Sequence, residues 1–168
     1  MIKLDNTDLF TKPIAHRGFW DENNPENTMG AFKRAAEKGY GIELDVQFSS
    51  DNQVIVFHDE YLDRLTNITG PVLKQTYSTI KEQKILNSDY TVPLFKEVLE
   101  EIDGKVPLLI EIKNTENIKL LCDSIVKLLI DYKGEFAVQS FNPYIIKYLY
   151  DTYPVIKCGD EVSAFRAF

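Results

Sequence analysis

Three acidic side chains stand where buried strands normally carry apolar ones: Glu43 and Asp45 in "GIELDVQF", and Glu111 in "VPLLIEIK". A single acid in such a run reads as a strand facing solvent. Parallel strands, however, are usually covered on both faces, so three acids demand another account. Brought together without a counter-ion they would repel and raise one another's pKa. A divalent metal resolves this, and an all-oxygen donor set points to Mg2+ or Ca2+ rather than zinc, which prefers histidine and cysteine. The two histidines of the chain, His16 in "AHRG" and His58 in "FHDE", each close a strand-like run at its C-terminal end. That is the end at which α/β folds place their sites, and imidazole works as acid or base near neutral pH, so the two form a candidate acid–base pair. Arg17 follows His16 directly, and Lys113 lies two residues after Glu111, on the same strand face. Both suit a phosphate clamp, Arg17 through bidentate contact and Lys113 as a point charge. Metal, histidines and cations together describe phosphoryl-transfer chemistry.

These residues need a scaffold that gathers them. Within "IELDVQF", Glu43 and Asp45 share a face because strand side chains alternate with period two. The connection to "VIVFHD" is only "SSDNQ", too short for a parallel crossover. A two-residue hairpin with Asp51-Asn52 at its tip is expected. It sets Ser50 opposite Gln53, and hence Asp45 opposite His58. Elsewhere strand-like runs alternate with helical ones, which predicts an α/β fold with mainly parallel strands. The first helix is capped by Asn24-Pro25 or by Thr28, with Met29, Phe32 and Ala36 on one face and Gly39 at its stop. A short helix turns Phe95, Val98, Leu99 and Ile102 inward. A long one buries Ile118, Leu121, Ile125 and Leu128 and runs to Gly134, and a further helix starts at Asn142-Pro143. Residues 61–91 show a poor pattern and read as a loop with a small helical piece near Ser78–Lys84.

The chain has 168 residues, 44% hydrophobic and 27% charged, enough for one domain with a sizeable core. A net charge of −7 argues against sequence-independent nucleic-acid binding. No apolar run reaches membrane-spanning length, and "MIKLDNTDLF" lacks a signal-peptide layout, so a cytoplasmic protein without a stable membrane anchor is expected. Cys122 and Cys158 give neither a disulfide framework nor a zinc spacing and read as reduced thiols.

Taken in order, "AHRGFWDENNPENTMGAF", "IELDVQFSSDNQVIVFHDEYLDRLT" and "LLIEIK" resemble the glycerophosphodiester phosphodiesterase family, through the order and spacing of HRG, PENT, E-x-D, HD and E-x-K. The resemblance runs from about Pro13 to at least Phe141. It implies a TIM (β/α)8-type barrel that hydrolyses glycerophosphodiesters to sn-glycerol 3-phosphate and an alcohol with one divalent cation. It places the metal on Glu43, Asp45 and Glu111, catalysis on His16 and His58, and phosphate contacts on Arg17 and Lys113. Glu26 and Asn27 match the PENT loop, with Asn27 either touching the site or fixing the loop. Residues 61–91 correspond to a short family-type insertion within a single domain spanning 1–168. The chain departs from the family's usual residues at the hairpin tip, Asp-Asn for Asp-Gly, and at Ser49 for threonine.

Such barrels take about 250 residues, so the barrel is expected to be truncated after about the sixth strand. Two consequences are expected: a second copy covering the open edge, or a non-catalytic module that still binds metal and phosphodiester. A phosphoinositide- or sphingolipid-cleaving relative is disfavoured by the lack of a basic or aromatic membrane-docking stretch.

Overall fold

The computed structural model describes residues 11–154, 156 and 158–160. Its frame is a sheet of parallel strands ordered β1-β2-β4-β5-β6, with β3 set antiparallel on β2. The strands are β1 (Ile14–Ala15), β2 (Gly41–Phe48), β3 (Val54–Val56), β4 (Leu108–Ile112), β5 (Phe136–Ser140) and β6 (Cys158–Asp160). The helices are α1 (Met29–Glu37), α2 (Tyr77–Ile80), α3 (Phe95–Ile102), α4 (Ile118–Leu129) and α5 (Pro143–Thr152). This is the expected α/β architecture: the parallel sheet is built by helical crossovers, and the single antiparallel strand is the one whose connection is too short for one.

Alternation along the strands separates two environments. Ile42, Leu44, Val46 and Phe48 of β2 and Leu108, Ile110 and Ile112 of β4 pack against the helices in the main core. The opposite face carries Glu43, Asp45 and Gln47 on β2 and Glu111 on β4, all buried. The helices supply the matching apolar stripes. In α3 the four expected residues, Phe95, Val98, Leu99 and Ile102, are all buried. The first helix takes Thr28 as its cap, and Asn142 with Pro143 opens α5 as the spacing predicts.

Three expectations are corrected. In α4 the helix ends at Leu129, not near Gly134, and its buried face is Leu121, Cys122, Ile125, Val126 and Leu129. Ile118 and Leu128 only flank the core. The stripe is wider than one i, i+3, i+4 row, so the choice between adjacent positions falls to packing. Residues 61–91 are more than a loop. With β3 they enclose a second apolar cluster of Ile55, Phe57, Leu62, Leu65, Val72, Ile80, Ile85 and Val92. Its members are spaced irregularly, which hides them from a periodicity test.

The hairpin register is the third correction. Ser49, not Ser50, faces Gln53, with the Ser49 N–H donating to Gln53 O at 3.0 Å and the Asn52 N–H to Ser49 O at 3.1 Å. The pairs run Phe48–Val54, Gln47–Ile55 and Val46–Val56. The loop therefore has three residues and ends on Asn52 at φ 58°, the arrangement of a type I turn followed by a left-handed residue. Asparagine tolerates that φ, and the Ser49 hydroxyl donates to Asp51 Oδ1 at 2.6 Å, which rigidifies the turn. The result places Asp45 opposite Phe57, whose N–H donates to Asp45 O at 3.0 Å. His58 is displaced from the position expected for it by one residue.

The α4 correction is testable. Leu129→Ala should destabilise the protein by about 2–5 kcal/mol, as expected for a buried leucine. Leu128→Ala should cost well under half as much. Urea unfolding of both variants measures the difference, and equal losses would contradict the assigned face.

Candidate metal and phosphate site

The site is assembled from strand ends and the loops that follow them. Glu43 and Asp45 project from one face of β2, and Asp45 is the direct neighbour of Glu111 on β4 in the parallel ladder. One carboxylate oxygen from each of the three lies within 4.8 Å of the others, and all three side chains are buried. Gln139 of β5 continues the row beside Glu111. Three convergent oxygens on rigid strands are the donor set a hard divalent cation takes, so the cluster fits the expected ion.

The surroundings restrain this charge in several ways. The Lys113 ammonium donates to Glu111 Oε1 and, at 3.3 Å, to Asp45 Oδ1. Burial alone would lower its pKa, but the two carboxylates outweigh burial and raise it, so Lys113 stays charged. The Asn27 amide donates to Asp45 Oδ2 at 2.7 Å, while its carbonyl accepts the Asp45 N–H at 3.3 Å. Asn27 therefore touches the site as well as fixing its loop. The Arg17 N–H donates to Glu43 Oε2 at 2.8 Å.

That last contact requires unusual backbone. Arg17 and Asn27 both have left-handed conformations, φ 56° and 55°, and the Asn27 N–H donates to Arg17 O at 2.9 Å. Non-glycine residues rarely adopt this region, and they concentrate at functional sites. Gly18, at φ 83°, completes the turn; a Cβ there would sit 2.8 Å from the Ala31 Cβ. The HRG and PENT segments are thus one folded unit, with the Arg17 side chain reaching Glu26 through Nη1 at 2.9 Å. Its Nε is buried, has no hydrogen-bond partner among the described residues, and lies 3.7 Å from Asp45 Oδ2.

The assignment of the reaction to a His16/His58 acid–base pair is overturned here. The residues that converge as a centre are Glu43, Asp45 and Glu111, and neither histidine belongs to that cluster. His16 is 70% exposed, and its Nε2 is 3.9 Å from Glu43 Oε2, beyond hydrogen-bond reach. Partial burial and the Arg17 charge hold its pKa below the ordinary histidine value. His58 is not cross-strand to Asp45, because the three-residue hairpin loop shifts the register. Its Nδ1 instead bonds Asp59 Oδ1 at 2.7 Å.

Sequence reasoning also missed Gln47, Asp59 and Arg64. The Gln47 amide donates to Phe57 O at 2.7 Å and Asp59 O at 2.9 Å, fixing the chain that carries His58. Its position on the Glu43–Asp45 face of β2 was the available signal. Asp59 belongs to the HD motif that carried the resemblance but was given no role, Arg64 stands in the "HDEYLDR" stretch as an ordinary surface charge, and only the folded loop shows the two paired.

The crowded acids give a pH prediction. Burial, then the Asp45 charge, push Glu43 up to about 8. An acid whose folded value lies above its ordinary 4.5 loses its proton first in the unfolded chain. The folded state therefore loses stability as pH climbs from about 4.5 through about 8. In EDTA the thermal midpoint should fall across that window, Glu43→Gln should remove much of the fall, and a saturating divalent cation should offset it most at the alkaline end. A wild-type midpoint that stays level in EDTA would contradict the shift.

With this geometry in hand, comparison with known proteins is direct. Residues 16–163 match the Glycerophosphoryl diester phosphodiesterase family. A glycerophosphodiester phosphodiesterase of Bacillus altitudinis is 45% identical over 114 residues, covering 62% of this chain and 46% of that protein. One from Caldanaerobacter subterraneus subsp. tengcongensis is 37% identical over 163 residues, covering 89% of this chain and 65% of that protein. This chain thus spans about half to two thirds of the length of these relatives. Among solved structures, an Oleispira antarctica phosphodiesterase in complex with its product sn-glycerol-3-phosphate superposes with a TM-score of 0.83 at 26% identity, covering 91% of this chain and 67% of that one. Carrying the family's sequence pattern over most of its length and the family's fold, the chain belongs to the glycerophosphoryl diester phosphodiesterase family.

Proposed function

We propose that this chain carries a metal-dependent phosphodiesterase site that releases sn-glycerol 3-phosphate from glycerophosphodiesters. The carrying observation is the convergence of Glu43, Asp45 and Glu111 on one buried point flanked by Lys113 and Arg17. The relatives named as glycerophosphodiester phosphodiesterases, and the product held by the Oleispira structure, supply the substrate class.

In this reading Glu43, Asp45 and Glu111 hold one Mg2+ or Ca2+. Such an ion, when bound, polarises a phosphoryl oxygen and offsets the charge developing on it. The protein's own groups bind and orient the phosphate. Arg17 offers the buried Nε that has no hydrogen-bond partner among the described residues, and Glu26 holds its Nη1. Lys113, held beside Asp45 and Glu111, would supply a positive charge to the phosphate when a cation balances the two carboxylates. His16 lies beside Glu43 and His58 is held by Asp59, and this reading assigns them no acid–base partnership.

Glycerol 3-phosphate release from glycerophosphocholine, measured with Mg2+ or Ca2+ and again with excess EDTA, tests the reading. Cation-dependent release supports it. Folded protein that binds the cation and releases nothing contradicts it. Glu111→Gln should weaken cation binding at least tenfold by calorimetry, and an unchanged affinity would remove Glu111 from the ligand set. Lys113→Met should behave in the opposite way. With their internal counter-charge gone, the carboxylates should bind the cation as tightly as wild type or more so, while phosphate affinity drops about tenfold. Weaker cation binding in that variant would refute the competition between Lys113 and the ion.

A further inference from the structure

Arg64 lies outside the carboxylate cluster, yet its guanidinium joins two of the loops that surround it. Nη1 and Nη2 donate to Glu26 Oε2 and Oε1 at 3.0 and 2.6 Å, while Nε and Nη2 donate to Asp59 Oδ2 and Oδ1 at 2.6 and 3.0 Å. Each carboxylate is gripped through both oxygens. Each then passes the restraint on: Glu26 Oε1 also accepts from Arg17 Nη1 at 2.9 Å, and Asp59 Oδ1 bonds His58 Nδ1 at 2.7 Å. A continuous chain, Arg17–Glu26–Arg64–Asp59–His58, therefore spans from the arginine beside the carboxylate cluster to the histidine after β3.

Resting on the function proposed above, we infer that Arg64 is a positioning residue that fixes the Arg17 guanidinium and selects the tautomer of His58. An ionised carboxylate only accepts hydrogen bonds, so an Asp59 held ionised and aimed at His58 requires the proton of the neutral ring to sit on Nδ1. That leaves Nε2 as the accepting atom. The charges agree with this assignment: the two carboxylates balance Arg17 and Arg64, and both acids lie below their ordinary range. Burial would raise Glu26 and Asp59, but the hydrogen bonds from Arg64, with those from Arg17 and His58 respectively, outweigh it. Lysine cannot replace this function, because four donors in one plane are needed and an ammonium does not offer that fork.

The test uses the full chain loaded with Mg2+, as wild type, Arg64→Met and Arg64→Lys. Only two histidines are present, so long-range proton–nitrogen NMR at alkaline pH resolves each ring and reads its tautomer. Wild-type His58 should show the Nδ1–H form. Both variants should shift it toward the Nε2–H form and leave His16 unchanged. Turnover of glycerophosphocholine should fall on the order of 10- to 100-fold, while Mg2+ affinity changes less than about twofold, because Arg64 touches none of the three clustered acids. A folded variant that keeps the wild-type His58 tautomer overturns the inference, and circular dichroism establishes folding. If Arg64→Met does not fold, Arg64→Lys retains the charge and decides the matter. If the wild type shows no turnover, the proposed function fails, whereas the tautomer measurement still supports or overturns the clamp.

Discussion

The arrangement of the site depends on keeping three buried carboxylates side by side. At an effective dielectric near 20, two like charges at the cluster's outer limit of 4.8 Å repel by roughly 3–4 kcal/mol. Three such pairs would consume much of a typical domain's stability. The fold opposes this with Lys113 on two of the acids, the Asn27 amide on Asp45, and the backbone N–H of Arg17 on Glu43. The elevated Glu43 pKa shows that these contacts fall short of full compensation. A divalent cation held by the three carboxylates would close the gap. The electrostatic cost of the unliganded site would thus also favour loading it.

Local backbone is shaped to serve that balance. Arg17 reaches Glu43 with its main chain because it adopts a left-handed conformation, and Gly18 allows the following turn to pass close over α1. Asn27, equally left-handed, clasps the main chain of Arg17 from the neighbouring loop and presents its side chain to Asp45. These strained positions persist because burial and hydrogen bonding over-determine them. The second apolar cluster includes Phe57, Leu62 and Leu65 and so anchors the segment that carries His58, Asp59 and Arg64. An apolar frame and a polar lining are therefore two faces of the same strands, separated by the period-two alternation of β2 and β4.

The same division explains how a cluster of charged groups can reside on one face of a sheet. Helices pack on the outer face and provide rigidity, while the inner face and the loops at the strand ends provide the charged groups.

Local rules made part of this protein legible in its amino-acid order alone. Residues at i and i+2 in a strand must share a face, so the pairing of Glu43 with Asp45, and of Glu111 with Lys113, followed from alternation. The α/β order, the cap at Asn142 and the apolar face of α3 followed from period and capping chemistry, and motif order carried the family resemblance. Folding in three dimensions decided whatever depends on register and on distant partners. A three-residue hairpin loop instead of two moved His58 by one position and removed its expected pairing with Asp45. The wide apolar stripe of α4 left its orientation to packing. Arg64 gained its two carboxylates only because residues 38 and 5 positions away in sequence meet it in space. Side-chain alternation is fixed by covalent geometry, whereas which strand residue faces which, and which surface charges converge, are set by turn conformation and long-range packing that no short window of sequence contains.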